Sequence, residues 1–255
     1  TPLSISTDAV MSDIIHMLGV AVGCGSIAFI RPVGCGKQFA VFVLVVVLAT
    51  LWDSPHRFND SSGQPPFLKE WWKKIPDMID TRSGFGVAVG DGKLFAVGGD
   101  GSSLKSGEYL DLKNVDAGWK KLPDMNTRRN ALGVAVGDGK LFAVGGDDGP
   151  NSISKSGEYL DLKDVGAGWT KIPEMNAKRN GLGVAVGDGK LFAVGGYGDG
   201  NLKSGEYLDL KNVDAGWKKL LDMNIHRHNF GVAIGDGKLF AVGPDRSGEY
   251  LDLKD

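Results

Sequence analysis

The chain has 255 residues, 24% of them charged, and a formal net charge of −2. A balance this near neutrality carries no electrostatic footprint for nucleic acid. Its two cysteines, Cys24 and Cys35, both lie in the first seventy residues, so the rest of the chain holds neither a disulfide framework nor a cysteine zinc site.

Residues 14–30 and 38–52 contain no Asp, Glu, Lys or Arg. Each run is slightly short for a membrane-spanning helix, which needs ~20 apolar residues. Lys37 can snorkel and Trp52 can sit at an interface, which lengthens the second run. Gly19 and Gly23 form a small-xxx-small pair suited to close helix packing in a bilayer. The two runs are therefore expected to be a transmembrane hairpin within an apolar segment over 1–54. Arg31 and Lys37 sit between the runs, so the positive-inside rule puts the remainder of the chain on the extracytoplasmic or lumenal side. Three rivals stand beside this reading. The second run also fits the apolar stretch of a signal peptide, or a buried strand, and Gly23 to Ala28 loosely matches a dinucleotide fingerprint. Thr1 in first position fits either a processed or a partial chain. A polar stretch with Pro55, Pro65 and Pro66 then marks a linker over 55–70.

From residue 71 the chain repeats itself. The phrase Gly-Val-Ala-Val-Gly-Asp-Gly-Lys-Leu-Phe-Ala-Val-Gly-Gly starts at Gly86, Gly133 and Gly183, and an altered copy starts at Gly231. A period in this range marks a repeat architecture. Each copy predicts four short strands. In the first copy they are Gly86–Val89, Lys93–Val97, Glu108–Leu112 and a strand opening at Trp119 and closed by Pro123. Asp-Gly pairs at Asp91, Asp138, Asp188 and Asp236 predict type I′ hairpins between the first two strands.

Strand, Asp-Gly, strand, Gly-Gly, then Glu-Tyr-x-Asp, a Trp and Leu-Pro-x-Met together resemble the kelch repeat. The resemblance covers residues 71–255 and implies an all-β fold, a kelch-type β-propeller of four four-stranded blades. Trp72 to Met78 reads as a fourth strand with no repeat before it, while the last repeat has three strands. Closure of the ring is therefore expected by pairing of 72–76 with Glu249–Leu253, which would remove two exposed edges; the alternative is an arc whose edges are covered by a partner.

Trp72, Trp119, Trp169 and Trp217 recur at one strand position and read as packing between neighbouring blades. Met78, Met125, Met175 and Met223 read as filler beside them. Arg82, Arg129, Arg179 and Arg227 recur five residues before the first strand's leading Val. Two readings compete for them. In one, they form a ring of guanidinium groups that favours an anion or a partner carboxylate. In the other, each pairs internally with an acidic residue, with Asp77, Asp124, Glu174 and Asp222 as the nearest candidates. Antiparallel order puts the arginines on the edge that carries the loops between strands two and three. Those loops, at 100–106, 147–156 and 197–204, differ most between copies, and variable loops on a rigid scaffold are where binding resides. Asp100, Asp147 and Tyr197 open them, and Asn130, Asn180 and Asn229 lie beside three of the arginines. These residues make up the candidate binding face.

No nucleophile–His–acid constellation stands out. His226 and His228 flank Arg227 and make a weak metal site. Kelch oxidases use a copper site with a Cys that these blades lack. The expected protein is thus a non-enzymatic scaffold without cofactor or metal. It would be a membrane-anchored accessory subunit of a larger, photosynthetic or respiratory, assembly, with other subunits and the lipid bilayer as partners. A soluble adaptor for a protein or peptide is the alternative, and a metal-binding or enzymatic propeller a third.

Overall fold

The hairpins set the blades. Asp91 has φ 47° and Gly92 φ 69°, and Asp138, Asp188 and Asp236 repeat this left-handed geometry with the glycine that follows each. Both central residues of a type I′ turn need φ > 0, so Asp-Gly folds each apolar run back on the next. In this computed structural model residues 72–100, 105–149 and 152–254 are described, and Lys73–Asp255 forms one compact unit.

Blade 1 contains β1 (Gly86–Gly90), β2 (Lys93–Val97), β3 (Gly107–Asp111) and β4 (Trp119–Lys121) in sheet order. Blade 2 contains β5 (Gly133–Gly137), β6 (Lys140–Val144), β9 (Gly157–Asp161) and β10 (Trp169–Ile172), with a small loop hairpin of β7 (Asp147–Gly149) and β8 (Ser152–Ile153). Blade 3 contains β11 (Gly183–Gly187), β12 (Lys190–Val194), β13 (Gly205–Asp209) and β14 (Trp217–Lys219). Blade 4 has three strands: β15 (Gly231–Gly235), β16 (Lys238–Val242) and β17 (Gly248–Asp252). All pairings within the blades are antiparallel. The third strand starts one residue earlier than its composition suggests, because Val97 pairs with Gly107. A single 3-10 turn, as at Val115–Ala117, then brings each chain to its Trp strand.

The core lies between blades. Phe95 and Val97 of blade 1 pack with Leu132, Val134, Leu141 and Trp169 of blade 2, with Leu122 and Met125 from the connection. Phe142 and Val144 do the same against blade 3, where Trp217 takes the Trp place. Each fully buried side chain of this kind contributes roughly 1.5–3 kcal/mol, and none of that is available to a blade alone. The strand-one glycines are part of the fit. A Cβ on Gly86 or Gly133 would overlap the side chain of Val134 or Val184 on the next blade.

The expected ring closure does not form. Residues 72–76 make no strand, and β17 has no fourth strand beside it. The end blades are accordingly bare, with Val89 63% and Val242 58% exposed. Among the described residues no strand pairing joins the first and last blades. Among the described residues no helix is long and apolar enough to cross a membrane. The predicted spans at 14–30 and 38–52, with Gly19 and Gly23, lie outside the described residues.

Candidate binding face

One edge of every blade gathers the start of strand one, the end of strand two and the start of strand three, joined in blades 1–3 by the end of strand four. The recurring arginine holds that edge together. Arg129 Nη1 donates to the carbonyls of Gly145 (2.8 Å) and Ser156 (2.9 Å), and Nη2 to Ser156 Oγ (2.9 Å). Its Nε donates to Glu158 Oε1 at 3.2 Å, and Nη2 reaches the same oxygen at 3.1 Å. Arg179 repeats the set on Gly195, Ser204 and Glu206. Arg82 uses Gly98, Ser106 and Glu108. Arg227 uses Gly243, Ser247 and Glu249.

Both partners are buried in the inner blades, with side-chain exposures of 1% and 1% for Arg129 and Glu158. Burial lowers the pKa of Arg129 and of Arg179, and the facing Glu158 and Glu206 oppose that shift. Each glutamate also accepts from the connecting segment, as when Asn126 N and Asn126 Nδ2 donate to Glu158 Oε2. Every donor of the fork is thus used to lock strands two and three to the chain that enters the blade. The guanidinium groups are spent inside the fold and do not form an open anion ring. Their shared acidic partners are the strand-three glutamates, joined by Asp80 at Arg82 and Asp245 at Arg227, each at 3.4 Å, and among the described residues none forms an ion pair with Asp77, Asp124, Glu174 or Asp222. Alternation already placed Glu108 on the same inward side as Leu110, and a buried carboxylate needs a cation.

The polar residues beside the arginines do stay near the surface. Asn130 and Asp147 exchange backbone bonds at 3.0 and 2.7 Å, and Asn180 and Tyr197 do so at 2.8 Å each. Asn180 Nδ2 then crosses from blade 3 to Asp147 Oδ1 of blade 2 at 2.7 Å. Asp100 accepts from Ser83 N (3.2 Å) and Ser83 Oγ (2.7 Å), and Tyr197 is 45% exposed. Asn229 lies one place further along than Asn130 and Asn180. It matches Gly84, Ala131 and Gly181, and His228 takes the asparagine place. These four have φ 61°, 51°, 54° and 52°. They form a string between blades that recurrence of residue type conceals: Asn229 N donates to Gly181 O, Gly181 N to Ala131 O, and Ala131 N to Gly84 O.

The rim is therefore a row of bonded amides and carboxylates on which Asp100 and Tyr197 are exposed. Such a surface offers hydrogen bonds and one aromatic face to a partner. Among the described residues no group of three or more His, Cys, Asp or Glu could hold a metal ion, and His226 stands exposed on the last blade.

The kelch motif matches residues 81–126, 128–176 and 178–212, just over half of the chain. The chain belongs to the kelch-repeat family. A search of the curated proteins finds no match. Among solved structures, that of YjhT is similar, with 17% identity and a TM-score of 0.58 over 66% of this chain. The likeness covers 59% of the YjhT chain, and at that identity it bears on the fold alone. The kelch repeat explains why one residue set recurs at every blade edge: Arg and Glu build the blade, and the loops between them vary.

Proposed function

We propose that this chain is a non-catalytic kelch propeller that holds a protein partner on its loop edge. The observation that carries this is the contrast between buried, repeated polar groups and exposed, varied ones. The repeated Arg, Glu and Ser side chains satisfy one another inside the blades, while Asp100 and Tyr197, at the heads of loops that differ in sequence, are exposed on a framework that hardly varies. Rigid scaffold and variable rim is the arrangement of a binding module. The apolar runs at 14–30 and 38–52 motivate the finer reading of a membrane-anchored accessory subunit, with the propeller on the extracytoplasmic or lumenal side.

Capture from gently solubilised native membrane tests the binding edge. Tyr197→Ala with Asp100→Ala is expected to lose the partner, and Lys113→Ala with Lys211→Ala, beside the hairpins on the opposite edge, to retain it. Equal loss from both pairs removes the assignment. Carbonate washing tests the anchor separately, since release of intact chain overturns it.

A further inference from the structure

Asn180 is the only asparagine in the chain followed by a glycine. That pair is chemically weak. Glycine has no side chain to shield its own amide nitrogen, so the nitrogen can reach the side-chain carbon of the asparagine before it and displace ammonia. The matching places in the neighbouring blades lack the pair: Asn130 precedes Ala131, and His228 precedes Asn229. At Gly181 the φ is 54°, and the side-chain oxygen of Asn229 takes the space a Cβ would need, 2.6 Å from its position.

The fold engages every group that this reaction needs. Gly181 N, the nucleophile, donates to Ala131 O at 2.8 Å, so its proton rests on a carbonyl at the entry to blade 2. Asn180 Nδ2, the leaving group, donates to Asp147 Oδ1 of the same blade at 2.7 Å. The main chain between them is fixed on both sides. Asn180 N and O each bond to Tyr197 at 2.8 Å, and Gly181 O accepts from Asn229 N at 2.8 Å. For the side chain of Asn180 to turn onto Gly181 N, the bonds to Asp147 and Ala131 must both break. Those are the two polar ties between the entry to blade 3 and blade 2, so the reaction waits on the joint between these blades.

We propose that Asn180 is a latent hydrolysis site, held shut by the joint between blades 2 and 3 and converted one way when that joint opens. On opening, Gly181 N bonds to Asn180 Cγ, the Cγ–Nδ2 bond breaks, and ammonia leaves with the proton from Gly181 N. Water then opens the imide ring. Its attack at Cγ leaves an aspartate. Its attack at the main-chain carbonyl leaves an isoaspartate, whose main chain runs through Cγ. Neither product restores the joint. Aspartate puts a carboxylate where an amide donated to Asp147, and like charges at that separation disfavour each other. Isoaspartate lengthens the main chain by one carbon between the bonds to Tyr197 and the bond to Ala131. Asn180 and Asp147 both lie on the edge assigned above to a partner, and the chemistry does not depend on that assignment.

Peptide mapping by mass spectrometry tests this on the full chain, held at neutral pH both folded and in guanidinium chloride. The reading is the amide-to-acid mass gain at residue 180. Conversion in the folded chain is expected to be slower by about tenfold or more, because it must await local opening. Asp147→Ala frees the leaving amide and is expected to speed conversion in the folded chain while leaving the rate in guanidinium unchanged. Asn130, beside Ala131, is expected to keep its amide under both conditions. Asn180→Asp imitates one product and is expected to melt below the parent. Adding Asp147→Asn exchanges amide and acid across the joint and is expected to recover the loss. Equal rates in the folded and unfolded chain overturn the proposal, as does an Asp147→Ala chain that converts no faster than the parent when folded. An Asn180→Asp chain that melts like the parent, or one that Asp147→Asn does not rescue, overturns the one-way step.

Discussion

Blade 2 and blade 4 are built from nearly the same words, and they differ in what covers them. Val144 is fully buried and Val242 is 58% exposed, although both end the second strand of their blade. Ala135 is 7% exposed, and its counterpart Ala233 is on the surface. Glu158 is at 1% and Glu249 at 17%. The blade does not bury its own faces; the neighbour does, which is how stacked repeats share one core. The same residue is buried in blade 2 and exposed in blade 4. Position in the array decides which.

The comparison can be broken by mutating matching positions in the two blades. The largest contrast is expected at the arginines. Arg129→Ala leaves Glu158 buried without its cation, and breaking such a pair costs roughly 3–5 kcal/mol. Arg227→Ala leaves Glu249 partly in water and is expected to cost less. Urea midpoints measure both, and equal losses would mean that blade 4 is as closed as blade 2.

Glycines come next. In Gly133→Ala the new methyl meets the Val184 side chain on blade 3, and overpacking of this kind costs roughly 1–3 kcal/mol. Gly231→Ala meets only Val242 O at 3.7 Å and is expected to be within about 0.5 kcal/mol of neutral. A destabilised Gly231→Ala chain would show that something covers the last blade. The valines repeat the test by deletion. Val144→Ala removes buried methyl groups worth about 1.6 kcal/mol before any cavity term, and Val242→Ala is expected to change little.

Much of this was legible in the residues. The Asp-Gly pairs located the hairpins because few other dipeptides accept two left-handed residues. Recurrent Trp and Met located the interblade core because only packing demands one large side chain per period. Two things were not legible. The partner of each arginine depends on which face of strand three turns inward, and proximity in sequence pointed instead to Asp77 and its equivalents. Ring closure depends on how the blades pack along the whole array, which no local pattern encodes. Asn229 was misplaced for a plainer reason. Residue identity aligned it with Asn130, whereas its φ of 52° aligns it with Ala131.

The smallest expected effect is one of pH, and it separates the blades at their carboxylates. Burial acts to raise the Glu249 carboxyl, but hydrogen bonds from Asn224 and Arg227 outweigh it and hold the pKa below the usual carboxylate range. A carboxyl held low in the folded chain stabilises it above the ordinary value of ~4.3, and that contribution fades as pH falls through the lowered value. Glu249→Gln is therefore expected to be the less stable chain at neutral pH. The gap should narrow on acidification, because the parent then carries a neutral acid where the variant carries an amide. Melting temperatures of the two chains across the acid range measure this. A gap that stays constant would mean that Glu249 contributes shape and hydrogen bonds alone. A gap that widens would mean that its charge is unfavourable in the folded chain, which Asn224 N at 2.7 Å and Arg227 Nε at 3.2 Å argue against.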